Sequence, residues 1–277
     1  MTDANHDVVA ELVELGLERR EARWLVEEFF PGSEPDALRE LRAAAQRRVE
    51  GEPLQYIIGH WPFRTLDLDV DARVLIPRPE TEELVDVALG ELAATGVRTP
   101  MILDLGCGSG AIGLSLLDEL RARGVVATLI ALDESRDALD VARANARKHQ
   151  LYAVSFVESS WFAALDASWR GRVDVIVANP PYVGDAEMAN LDSVLHYEPR
   201  RALVALDAHG VAGFADLGVI VREALSWLRP GGSLVMEHGE GHRAALVALA
   251  RELGYEHVRD LDDLSGRARM FAARRPA

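Results

Sequence analysis

Between His6 and Glu50 apolar side chains recur at intervals of three and four: Val8, Val9, Leu12 and Val13, then Trp24, Leu25 and Phe29, then Leu38, Leu41 and Ala45. That spacing lines one face of a helix. Gly16 and the Pro31-Gly32-Ser33 run interrupt it, which predicts three short helices, with Asp36 near the start of the third, forming a small helical domain over residues 1–60. The period then changes. Phe63, Leu66, Leu68, Val70 and Val74 are spaced mostly by two and Asp71-Ala72-Arg73 can turn the chain, so residues 61–77 read as a β-hairpin linker. A helix is expected after Pro79, with Glu80, Glu82 and Glu83 in the first turn, where the helix dipole favours carboxylates.

From Pro100 onward strand-like and helix-like segments alternate. Met101–Leu105, Thr128–Leu132, Ala153–Val157, Val173–Ala178 and Ser233–Glu237 read as strands, with helices around Ile112, Ala138, Phe214 and Ala245. That order builds an α/β domain over residues 78–277, a doubly wound, mostly parallel sheet of Rossmann-like type. The last segment, Ala268–Ala273, is expected as an edge strand.

A chain of 277 residues with 49% hydrophobic content can bury a sizeable core. Its formal charge of -15, from 45 acidic and 30 basic residues, repels polyanions and argues against nucleic acid as the main partner. Cys107 is the single cysteine, so no internal disulfide forms, and no Cys/His group has metal-ligand spacing. No apolar run is long enough to span a membrane and no signal-peptide pattern opens the chain. A cytoplasmic protein is the expectation, and nothing in the sequence demands more than a monomer.

The first strand runs into "LDLGCGSGAIG", in which Gly106, Gly108 and Gly110 let the backbone turn tightly beside a ligand. The helix after it adds its free N–H groups. Gly108, Gly110 and Gly113 also satisfy the dinucleotide pattern, so an NAD enzyme is a competing reading. Asp104 weighs against it, because a carboxylate at the strand end repels a pyrophosphate but favours the sulfonium and ammonium groups of S-adenosylmethionine. Asp133 closes the second strand, where an acid can accept both hydroxyls of a ribose; a cap for the next helix is the lesser alternative.

The fourth strand ends in Asn179-Pro180-Pro181-Tyr182. Carboxyl ends of strands in open sheets face the ligand crevice. The Asn179 side-chain oxygen and the Pro180 carbonyl can accept both hydrogens of a planar NH2 group while Tyr182 stacks on its conjugated plane. Held so, the nitrogen lone pair can turn out of conjugation towards a methyl sulfonium. Positioning does most of that work, and no dedicated general base is required. A glutamine amide and a nucleobase amine both fit this description. A non-catalytic cofactor sensor is a third reading, disfavoured by the intact tetrapeptide.

"EPLQYIIGHWPF", "VLIPRPETEELV", "ILDLGCGSGAIGLSL", "ALDESRDALDVARANA", "VIVANPPYV", "YEPRRAL" and "MEHGE" together resemble the HemK/PrmC family of protein-glutamine methyltransferases over nearly the whole chain. The resemblance implies a seven-stranded methyltransferase sheet and methylation of the glutamine in the GGQ loop of peptide-chain release factors. It implies that Gly106, Cys107, Gly108, Ser109, Gly110, Asp104, Asp133 and Glu134 hold S-adenosylmethionine, with Ser160 and Trp161 at its adenine and Asn179 facing cofactor and substrate alike. Asn179, Pro180, Pro181 and Tyr182 are the implied substrate clamp, with Asn179, Pro180 and Tyr182 catalytic, and the front helices help grip the release factor. No metal is implied. Two positions depart from the family pattern: Ser160 stands where an acid is frequent, and His242 where Gln is common, read here as a solvated cap of a peripheral helix.

Overall fold

The computed structural model describes residues 3–30, 35–188 and 193–277. The chain opens with helices α1 (Asp3–Glu14), α2 (Arg19–Phe29), α3 (Pro35–Val49) and α4 (Leu54–Ile58). The apolar stripe seen in the sequence is their common core, with Leu12, Leu25, Val26, Leu41 and Ala45 fully buried. The Pro31-Gly32-Ser33 break lies outside the described residues. Helix α4 has no counterpart among the helices expected from the sequence, because five residues are too few for a helical period to register.

Strands β1 (His60–Phe63) and β2 (Leu66–Asp69) form the hairpin. The turn falls at Arg64, at φ 52°, and not at Asp71-Ala72-Arg73. Asp71 does turn the chain, since its carboxylate accepts from the Arg73 N–H at 3.0 Å. The segment beyond Arg73 is not a strand. Val74 and Ile76 instead pack with Tyr56 against Ala138 and Val141.

Helix α5 (Pro79–Thr95) leads into β3 (Met101–Leu105), α6 (Ala111–Ala122), β4 (Thr128–Asp133), α7 (Arg136–Lys148), β5 (Val154–Glu158) and β6 (Val173–Ala178). A short pair comes next, β7 (Val183–Gly184) and β8 (Val204–Ala205), flanking the single turn α8 (Arg200–Leu203). The chain ends with α9 (Ala215–Trp227), β9 (Leu228–Glu237), α10 (Arg243–Glu252), β10 (Glu256–Asp262) and β11 (Ala268–Arg274). The main sheet has seven strands in the order β10-β11-β9-β6-β3-β4-β5, with β9 to β5 parallel and β10 and β11 antiparallel. Strand β11 is therefore internal, not the edge. The edge on that side is β10, whose Glu256, Arg259, Asp260 and Asp262 hide it from a hydrophobic pattern; charge of this kind deters edge-to-edge pairing.

Helices α5, α6 and α7 cover one face of the sheet and α9 and α10 the other, each over its own apolar cluster. Central strands buried on both faces read as continuous apolar runs, as in "VDVIVA", fully buried along its length. Register brings the functional segments to one rim: Leu105 of β3 lies beside Leu132 of β4 and Ala178 of β6, and Ala178 beside Met236 of β9. The glycine loop, Asp133, Asn179 and Glu237 all come at that rim.

Asn145 of α7, fully buried, joins the hairpin to that loop. Its Oδ1 accepts from the Asp69 N–H at 2.7 Å, and its Nδ2 donates to the carbonyls of Asp69 at 3.1 Å and Ser109 at 2.9 Å. Asn145→Ala leaves these backbone groups unsatisfied, and a loss of about 2–3 kcal/mol is expected. Urea denaturation measures it; a change below about 1 kcal/mol would show that water replaces the side chain.

Candidate active site

A cavity of about 440 Å³ opens at the rim between β3, β4 and β6. Of the residues singled out in the sequence, Gly106, Cys107, Gly108, Ser109, Asp133, Glu134, Ser160, Trp161, Asn179, Pro180 and Pro181 line it. Asp104, Gly110 and Tyr182 do not.

The loop is shaped by its glycines. Gly106 and Gly108 take φ of 68° and 53°, a region costly for residues with a Cβ. Gly113 serves packing: a Cβ there would stand 2.7 Å from Asp104 Oδ2 and 2.9 Å from a Leu129 methyl. This lets α6 sit directly on the sheet.

Asp104 is placed differently from expectation. Its side chain is fully buried beneath the loop, where Oδ2 accepts the Gly113 N–H at 2.9 Å, so it caps α6 from below instead of facing a ligand. Burial pushes its carboxyl up to about 7, against the pull of that N–H and with help from the Asp133 charge. Asp133 does face the cavity. Its Oδ2 accepts the Gly108 N–H and its Oδ1 the Ser135 N–H, each at 2.9 Å, while Ser135 performs the helix capping by accepting from Ala138 N at 3.2 Å. Burial raises the Asp133 carboxyl and those two N–H groups lower it again. Cys107 is buried and its thiol is pushed well up, which leaves it protonated and inert.

Trp161 stands on the far wall at φ 46°, unusual for a side chain of its size. Its ring Nε1 donates to Asp216 Oδ1 of α9 at 3.0 Å, and its carbonyl accepts from the Ser159 hydroxyl at 2.8 Å. These two bonds hold the indole in the wall of the cavity. Exposed Ser160 lines the same wall.

The tetrapeptide divides. Asn179, Pro180 and Pro181 line the cavity, whereas Tyr182 lines an adjoining concavity with Val211, Gly239 and His242. The Tyr182 hydroxyl donates to Glu237 Oε1 at 3.1 Å and accepts from Arg269 at 3.1 Å, which draws the ring out of the position expected for stacking inside the cavity. Glu237 is 2% exposed and also accepts the Thr81 hydroxyl at 2.6 Å; Thr81 in turn accepts from Asn179 Nδ2 at 3.3 Å. Burial pushes the Glu237 carboxyl up, opposed by the Thr81 hydroxyl and the Arg269 charge.

Over the mouth, Glu198 clasps two segments by accepting the Ile76 N–H at 3.1 Å and pairing with Arg78. That brings Arg73–Arg78 and Pro199–Ala202 onto the cavity. Sequence reasoning missed Thr81, Glu198, Asp216 and Glu237 as builders of the site. Glu237 carried one signal, its place at a strand's carboxyl end, and the rest depend on contacts distant in the chain. His242 is a correction: it is buried, not solvated, with Nε2 2.8 Å from the Ala212 carbonyl and Nδ1 accepting the Gly239 N–H at 3.1 Å. His242 stands at the N-cap position of α10 but makes no side-chain cap bond to it; the ring instead closes the turn from Gly239 and ties the segment before α9 to α10.

Among the described residues no cluster of His, Cys, Asp and Glu could hold a metal, and no helix is long and apolar enough to cross a membrane.

Comparison with known proteins adds to this geometry. Residues 99–266 match a family model described as a methyltransferase domain. The chain is 40% identical over 235 residues to a release factor glutamine methyltransferase of Coxiella burnetii, covering 85% of this chain and 79% of that protein. It is 41% identical over 230 residues to the release factor glutamine methyltransferase of Salmonella typhimurium, covering 83% and 78%. Among solved structures the human Mettl16 catalytic domain, crystallised with a 3'UTR hairpin, superposes with a TM-score of 0.57 at 15% identity over 97% of this chain and 91% of that one. At that identity the likeness is one of fold.

Proposed function

Because the chain belongs to the release factor glutamine methyltransferase family, we infer that its rim cavity holds S-adenosylmethionine and that Asn179 and Pro180 present the substrate amide to it. The enzyme methylates glutamine in peptide-chain release factors. The observation that carries the site assignment is that Asn179 and Pro180 share one cavity with the glycine loop and Asp133.

The donor set fits this cofactor better than a dinucleotide. A pyrophosphate needs free backbone N–H groups at the loop, yet the Gly108 and Gly113 N–H groups are already given to Asp133 and Asp104. Three acids, Asp133, Glu134 and Asp216, line the cavity together with Arg73, Arg78, Arg200 and Arg201, and Asp133 is the charge bonded to the glycine loop itself, where it disfavours a pyrophosphate. Asp133 keeps acceptor capacity for two ribose hydroxyls, and Trp161 offers a flat apolar wall to an adenine. When bound, S-adenosylmethionine supplies an electrophilic methyl group on a sulfonium.

The residues of the chain do the positioning. The Asn179 side-chain oxygen and the Pro180 carbonyl each accept one hydrogen of the glutamine NH2, which turns its lone pair out of the amide plane. Pro180 and Pro181 restrict the backbone and so hold these acceptors still. The amide proton becomes acidic only once nitrogen has gained positive charge, so it passes to water or to a nearby acceptor without a strong base. Tyr182 anchors the tetrapeptide from the adjoining concavity, which we take as the side from which the substrate loop approaches. The front helices, packed on the hairpin through the Trp24–Trp61 ring contact at 5.4 Å, help grip the release factor.

Mass spectrometry of a GGQ-containing release factor after incubation with the enzyme and S-adenosylmethionine tests the reading. A mass gain of one methyl group, mapped to the GGQ glutamine, is expected. Methylation of DNA or RNA in parallel reactions, with none on the release factor, would overturn it in favour of a nucleobase amine.

A further inference from the structure

The chemistry of the clamp depends on which way round the Asn179 amide stands. Its oxygen must face the substrate, because a flipped side chain would offer NH2 to NH2 and repel it. Asparagine is nearly symmetric in shape, so packing alone selects weakly between the two orientations. Something polar must choose.

We propose that Thr81 and Glu237 are positioning residues that set the Asn179 amide with its oxygen towards the substrate. The protons decide the direction. A hydroxyl carries one donor, and the Thr81 proton goes to Glu237 Oε2 at 2.6 Å, which accepts it in the ionised form that the neighbouring Arg269 charge favours against burial. Thr81 Oγ is then left as an acceptor alone. The Asn179 atom 3.3 Å from it must be the donor Nδ2, which leaves Oδ1, on a residue that lines the cavity, as the atom not bonded to Thr81. Direction thus passes from a buried charge through a hydroxyl to the clamp.

The same carboxylate holds the other end of the tetrapeptide, since Glu237 Oε1 accepts the Tyr182 hydroxyl at 3.1 Å. Arg269, which donates to that hydroxyl at 3.1 Å, places a positive charge close to an otherwise enclosed Glu237. Neither Thr81 nor Glu237 needs to touch the reacting nitrogen. Thr81 comes from the start of α5 and Glu237 from the end of β9, 156 positions apart, so the arrangement exists only in the folded chain.

The inference rests on Asn179 being the amide clamp, and the experiment separates the two. Steady-state methylation of a release factor and S-adenosylhomocysteine affinity are measured for wild type, Thr81→Val, Thr81→Ser, Glu237→Gln and Asn179→Ala. Thr81→Val, isosteric but without the hydroxyl, is expected to lower kcat about tenfold while cofactor affinity stays within about twofold. Glu237→Gln, whose amide can donate or accept, should lower kcat in the same way, and Thr81→Ser should recover most of the rate. Wild-type kcat in Thr81→Val, with Asn179→Ala inactive, overturns the positioning role and leaves the clamp standing. Wild-type kcat in Asn179→Ala overturns both. A kcat loss in Thr81→Val that is matched by an equal loss of cofactor affinity marks a general disturbance of the site and also overturns the proposal. Should Glu237→Gln fail to fold, the Thr81 pair decides alone.

Discussion

Asn179→Ala is expected to reduce kcat by about 100-fold or more while leaving S-adenosylhomocysteine binding unchanged. The substitution removes one of two acceptors that hold the substrate amide twisted, an interaction at full strength only when the lone pair points at the methyl group. Losses of this size accompany removal of one oriented polar group where charge develops. Asn179 lines the cavity but is not among the groups assigned to the ribose or adenine, so cofactor affinity serves as the internal control. Single-turnover rates with saturating cofactor read the chemical step directly. A loss confined to KM for the release factor would mean that Asn179 binds substrate without activating it.

Asp133→Ala has the opposite signature. Two ribose hydroxyls lose a charged acceptor, worth about 1.5–3 kcal/mol for each hydrogen bond to a charged group, so affinity for S-adenosylhomocysteine should fall by about 100-fold or more. The loop also loses its tie, because the Gly108 and Ser135 N–H groups both end on this carboxylate at 2.9 Å. Thermal unfolding with added ligand checks it. Ligand at about 100 times its dissociation constant stabilises wild type by about 2.7 kcal/mol, and the same concentration should add less than about 0.5 kcal/mol to the variant. Full protection of Asp133→Ala would remove this residue from the cofactor site.

The two expected results would divide the cavity into a half that binds and a half that activates, and Gly113 shows how closely the rim depends on packing. Without a Cβ, α6 can approach until its N–H reaches the buried Asp104, and the loop above is left in the shape that exposes Asp133. The carboxylate assigned from sequence to the ligand thus works one layer lower. Its effect on cofactor choice survives in another form: it occupies a donor that a phosphate would need.

What the chain alone determined is whatever depends on neighbours along it. Apolar periods of three to four and of two marked the front helices and the buried strands, and glycines at alternate positions after β3 marked a tightly turned loop, because helix stripes, pleats and positive φ are local properties. Its rim could be anticipated too, since the carboxyl ends of parallel strands share one side of a sheet. The tertiary structure decided the rest. Charged β10 became the edge that displaced β11 inward, Tyr182 turned to Glu237 and out of the cavity, His242 was buried, and Thr81 met Asn179 across 98 positions. A proton's direction in a buried hydrogen bond is set by the partner it finds, and no period or spacing in a sequence records which distant acceptor that will be.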